Sequence, residues 1–134
     1  MTSEKISKLV IYKGNWTAKI VQSTPKSLYI FGDNDKKIGR KGQACIRFCK
    51  NAIGIPTKKG PYLYESSFYT DDEYIDNVLK IDLHIDKIVK ISVNYNHIVL
   101  PEAGLGTGLA QLNTRAPRTF EYLEKALKER LHVL

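Results

Sequence analysis

Two short apolar runs, SLYIF (27–31) and HIVL (97–100), each pass straight into a glycine-rich loop, FGDN…GRKGQA (31–44) and PEAGLGTGLA (101–110). Runs rich in β-branched and aromatic residues that stop at Gly, Asp or Asn read as strands. Both loops therefore occupy the same kind of place, the carboxyl end of a strand, where open α/β sheets collect their ligands. Glycine lets the backbone turn through positive φ and approach a bound group closely. A helix starting after such a loop adds N–H donors and a positive dipole end. Both features favour phosphate.

KLVIY (8–12) and AIGIP (52–56) read as further strands, and GNWTAKIVQSTP as another short one bounded by Gly14 and Pro25. QACIRFCKN (43–51) reads as a short helix, although Ala44, Ile46 and Phe48 also suit a strand. Thr70 followed by Glu73 has capping-box spacing. Ile75, Val78, Leu79, Ile85, Ile88 and Val89 then predict a helix through about Ser92, with a break or bend at Asp82. Phe120, Leu123, Leu127 and Leu131 mark one face of a last helix, and Pro117 suits its first turn. Strands alternating with helices over 134 residues, without repeat or linker, predict one α/β domain in which helices cover a mixed or parallel sheet.

The charge is uneven. Residues 36–59 hold eight basic side chains (Lys36, Lys37, Arg40, Lys41, Arg47, Lys50, Lys58 and Lys59) and no acidic one. The remaining 13 basic and 14 acidic residues nearly cancel, so the net charge of +7 belongs to the first glycine loop and the residues just after it. A field placed there calls for an anionic partner. Cys45 and Cys49, four apart, have helix-face spacing and read as buried structural thiols rather than a redox pair. The three histidines (His84, His97 and His132) are scattered, so the sequence offers no metal-ligand cluster and implies no cofactor. No apolar run is long enough to span a membrane, and MTSEKISK lacks a secretory signal's apolar core, which implies a cytoplasmic chain.

Asp33 and Asn34, directly after a strand, fit an Asx turn. They fit equally a ligand role, with Asp33 accepting from an amino or ribose group and Asn34 orienting a ribose or a water. Gln43 suits a helix cap or a ligand contact. Thr57 and Lys58 stand where a third strand ends. Tyr62, Tyr64 and Tyr69 lie in a connection and are the tyrosines best placed to line a pocket. GLGTGLA matches a dinucleotide fingerprint only loosely, and no P-loop pattern is present.

The order of strand, Asn-containing turn, glycine loop and helix resembles the first ligand loop of macro domains, α/β/α modules that bind ADP-ribose and related nucleotides. The late strand followed by GLGTGLAQL and a final helix resembles their second, phosphate-binding loop. The match in order covers roughly residues 27–131. The combination FGDN…GxxGQA…NAIGIPTK…LPEAGLGTGLA is similar to uncharacterised macro-like proteins of bacteria and phages.

The resemblance implies a three-layer α/β/α sandwich with a mixed sheet. It puts Gly32, Asp33 and Asn34 beside the adenosine or distal ribose, with Gly39, Gly42 and Gln43 flanking the first loop. Gly104, Gly106, Thr107, Gly108 and Leu109 would embrace a diphosphate, with Leu105 inside that loop. Two departures stand out. Phe31-Gly32-Asp33-Asn34 replaces the usual Asn-Ala-Ala-Asn, and Arg40 and Lys41 occupy a stretch where macro domains often run glycines. They weigh against ADP-ribosyl hydrolysis and for an extra phosphate.

Three functions fit these residues. The first is a binding module for an ADP-ribose-like or other phosphorylated nucleotide, using backbone N–H groups with Arg40, Lys41 and Lys58. The second is a hydrolase of an ADP-ribosyl bond or terminal phosphate, with Asp33 or Asn34 as catalytic residues positioning water. The third is a nucleic-acid-binding protein using the basic 36–59 segment.

Overall fold

The computed structural model describes residues 8–12 and 16–131. The MTSEKISK terminus up to Ser7, Gly14 and His132 lie outside them. Within the described residues four strands, β1 (Lys8–Tyr12), β2 (Ser27–Asn34), β3 (Ala52–Lys58) and β4 (His97–Pro101), form one sheet in the order β1-β4-β2-β3. Among the described residues every neighbouring pair of strands is parallel, where the resemblance implied a mixed sheet. Each connection carries the chain back to the starting end of the sheet before the next strand begins. The carboxyl ends of β2, β3 and β4, with their loops, consequently emerge together.

The helices are α1 (Ala18–Gln22), α2 (Tyr74–Ser92), α3 (Leu112–Arg115) and α4 (Pro117–Arg130). Strand alternation sorts the core. Leu28 and Ile30 of β2 point to one side, against Ile81, Ile85 and Ile88 of α2 and Leu123 and Leu127 of α4. Tyr29 and Phe31 point to the other side, against Trp16, Val21 of α1, Ala44 and Ile46. The period of two along β2 thus gives each face its own apolar cluster.

Several expectations change. The stretch containing Ala18–Gln22 is helical rather than extended, because Thr17 caps it by accepting from the Ile20 amide at 3.2 Å. After the first glycine loop comes only a 3-10 turn, Gly42–Ile46. Cys45 and Cys49 are free thiols whose Sγ atoms donate to the carbonyls of Trp16 and Ala18. Thr70 precedes a 3-10 turn (Asp71–Glu73) but makes no side-chain cap.

α2 runs unbroken past Asp82, which accepts from the Tyr122 hydroxyl of α4. It also buries a different face from the one expected. Ile81 joins Ile85 and Ile88 in the core, while Ile75, Leu79 and Val89 are exposed. Apolar residues sit nearly all round this helix, so periodicity alone does not set its rotation; the sheet does. α4 begins at Pro117 as expected, but its cap comes from far away. Asp71 accepts from the amides of Arg118 and Thr119 at 2.9 and 3.0 Å, and from the Thr119 hydroxyl.

Candidate functional site

The two glycine loops meet. Gly32, near the end of β2, and Gly106, in the loop after β4, pack close together and both line a cleft of about 190 Å³. Lys41, Gly42 and Gln43 line it from the first loop, Gly108, Leu109 and Ala110 from the second, and Thr57 from the end of β3. Gln43 ties the two loops together. Its Oε1 accepts from the Gly32 amide at 2.8 Å and its Nε2 donates to the Gly104 carbonyl at 3.1 Å. It is neither a helix cap nor a free ligand group but a strap between the loops, holding the cleft open at a fixed width.

Glycine is required where the loops come closest. At Gly106 φ is +80°, and a Cβ would lie 2.9 Å from Leu112 Cβ and 3.3 Å from Thr57 Cβ. Gly42 also has positive φ, at +60°. A Cβ on Gly32 would sit at ordinary contact distance from Gln43 Oε1 and the Gly106 amide, and would narrow the cleft. In the second loop, the amides of residues 107–110 donate to no protein acceptor among the described residues. Residues 107–110 are exposed or half-buried, so these amides are open to solvent. The helix that was to supply further donors is a single turn, α3, starting at Leu112, whose amide is taken by the Gly106 carbonyl at 2.7 Å.

Asp33 and Asn34 do other work. The Asp33 carboxylate forms a bidentate pair with Arg47, at 2.9 Å from Nη1 and 2.6 Å from Nη2, with 6% and 9% of the two side chains exposed. Arg47 also donates to the carbonyls of Gly39 and Ile38. Asn34 Oδ1 accepts from the Lys36 amide and its Nδ2 donates to the Ile38 carbonyl. Together these bonds fasten residues 34–39 into a fixed loop, so the Asx-turn reading describes Asn34. Gly54 makes room for the pair, since a Cβ there would fall 2.7 Å from Asp33 Cβ.

The other expected residues spread around the cleft. Arg40 is exposed, with its guanidinium 4.4 Å from the centre of the Phe48 ring. Gly39 backs onto Pro61. The Thr107 hydroxyl donates to the Ala103 carbonyl, and Leu105 is in the core. Lys58 lies off the cleft, 6% exposed, with Nζ 4.5 Å over the Phe68 ring; Arg115 covers the same ring at 3.8 Å. Burial, and then the charge of Arg115, push the Lys58 pKa down. Tyr69 is core, its hydroxyl on Asp35, which also pairs with Lys80 at 2.7 Å. Burial and the bond to Asp35 push the Tyr69 phenol well above its ordinary range.

Arg47, Ala110 and Arg115 are the residues that sequence reading passed over. Arg47 was counted among the eight basic residues of 36–59, but its place between Ile46 and Phe48 was the one signal that set it apart from the solvent-facing cations. Among the described residues no cluster of three or more His, Cys, Asp or Glu is placed to hold a metal, and no helix is long and apolar enough to cross a membrane.

The family model described as a family of unknown function, DUF7831, matches residues 11–126. The chain belongs to this family. No curated protein and no solved structure matches it. Membership in DUF7831 extends over the whole cleft, from β2 through the second glycine loop.

Proposed function

We propose that this protein binds a phosphorylated nucleotide of the ADP-ribose type in the cleft between its two glycine loops, within a three-layer macro-like α/β/α arrangement. One observation carries the reading: two loops from separate strand ends converge on one cleft, and one of them presents a run of undonated amides. Lys41 of the first loop adds a cation, and the local charge excess attracts the anion. The macro-domain resemblance of the motifs points to the same ligand class.

Binding is favoured over hydrolysis. A general base must have its carboxylate within reach of the proton it removes. Asp33 instead spends both oxygens on Arg47, and Asn34 uses its amide to hold the first loop. Both are assigned positioning roles.

The test is calorimetric titration with ADP-ribose, followed by chromatography of the mixture. The expected result is micromolar binding without products, lost in Gly108→Glu. That glycine has open space where a Cβ would go, so the variant folds while placing a carboxylate in the cleft. Absence of heat with ADP-ribose, AMP and NAD would overturn the reading, and product formation would restore the hydrolase.

A further inference from the structure

The cleft opens onto an unusual rim. The loop at residues 36–42 is exposed throughout, and it leans on two sets of aromatic rings. On one side Phe48, 70% exposed, lies under the Arg40 guanidinium. On the other, Tyr62 and Tyr64 stack at 5.1 Å with planes 10° apart, and Lys36 Nζ sits 4.9 Å from the Tyr62 ring centre. Pro61 lies beside the loop at Gly39, and Lys41 and Gly42 belong both to this loop and to the cleft lining, so rim and cleft are continuous. Leu63 and Tyr64 are exposed as well, Tyr64 at 56%.

Solvent-facing rings topped by cations, with no acidic residue between 36 and 59, match one chemistry better than others. A protein partner's apolar patch would leave Lys36, Lys37, Arg40 and Lys41 without counter-charges. A simple polyanion would leave the rings unused. A strand of nucleotides satisfies both, with phosphates on the cations and bases on the π faces.

We propose that this rim binds the bases and backbone of a single-stranded nucleic acid, whose terminal phosphate enters the cleft. The terminal-phosphate part rests on the proposed nucleotide-binding role of the cleft; the rim does not. Four exposed cations, at a slope of about 0.7 each for single strands, lower affinity about 50-fold between about 50 and about 200 mM salt. Loss of one stacked base lowers it by about tenfold.

The experiment is fluorescence anisotropy of a 5′-phosphorylated oligothymidylate of about eight nucleotides, with thymidine monophosphate titrated separately by calorimetry. The expected result is affinity that rises with length and falls steeply with salt. Phe48→Ala and Tyr64→Ala should each weaken the oligomer while leaving the mononucleotide unchanged; both side chains are exposed, so neither variant threatens the fold. Binding no tighter for the oligomer than for a dinucleotide would overturn the rim. So would oligomer binding that both ring variants leave intact and that heparin, which has no bases, competes away fully. A mononucleotide that binds while the oligomer gains nothing leaves the cleft reading standing and overturns this one. An oligomer that binds in a ring-dependent way while the mononucleotide and ADP-ribose give no heat supports the rim and removes the cleft reading.

Discussion

Replacing Asp33 by Ala would ordinarily be read as a test of catalysis, but its first effect here is on stability. The carboxylate makes two charge-assisted bonds to Arg47 with both side chains almost fully buried. Removing one partner of such a pair costs about 3–5 kcal/mol, because the other charge stays buried. Arg47 would keep the Gly39 and Ile38 carbonyls, which places Asp33→Ala near the lower end, about 3 kcal/mol. Arg47→Met should cost a similar amount, since Asp33 then keeps only the Asn34 amide as partner.

The double variant carries no uncompensated charge and should lose about 3 kcal/mol rather than the sum, a coupling of about 3 kcal/mol. Urea denaturation of the four proteins measures this, and each single variant should melt about 12 °C lower. Additive losses, with coupling below about 0.5 kcal/mol, would refute the claim that the pair fastens the first loop. An Asp33→Ala protein with unchanged stability and lost turnover would refute it more sharply, by freeing Asp33 for chemistry.

Gln43→Met removes both strap bonds, at about 1 kcal/mol each. Thermal denaturation should show a loss of about 2 kcal/mol, and nucleotide affinity should fall with it as the walls lose their spacing. Asp71→Ala should destabilise by about 1 kcal/mol by removing the cap of α4. Burial alone would raise the Asp71 pKa, but the bonds from Arg118 and Thr119 outweigh it and lower it. A carboxyl lowered on folding contributes stability above its unfolded value of about 3.9 and loses it as pH falls through the folded value. The acid limb of a stability–pH curve should therefore be shallower in the variant. Lys58 gives a slope of the same sign at the alkaline end. Its lowered pKa means that the folded state binds fewer protons, so stability should rise with pH from the folded value up to about 10.4, and this rise should vanish in Lys58→Met.

Much of the fold was legible because the signals are local. SLYIF, AIGIP, HIVL and the Pro117 helix start each announce themselves within a few residues. The elements misread are those settled at a distance. Ala18–Gln22 became a helix through one cap, and α2 chose its buried face from a sheet that its nearly uniform apolar surface could not specify. The cleft was half legible. Glycines after strands forecast the two loops, but Gln43 reaching Gly104 and Arg47 reaching Asp33 are long-range pairings that no spacing encodes. Sequence could nominate Asp33; only its partner shows how it is used.

The Gln43 strap joins positions 61 residues apart, and its other end holds Gly32. No fragment that lacks either loop contains the cleft, so the cleft is complete only when the whole sheet has assembled. Anything that binds there selects the native state over the unfolded one, and its affinity becomes part of the folding equilibrium. A ligand at about a hundred times its Kd would add about 2.7 kcal/mol, close to what losing the strap or the Asp33–Arg47 pair removes. Occupancy can thus rescue a weakened copy of this chain, which makes a screen for thermal shift also a screen for its ligand.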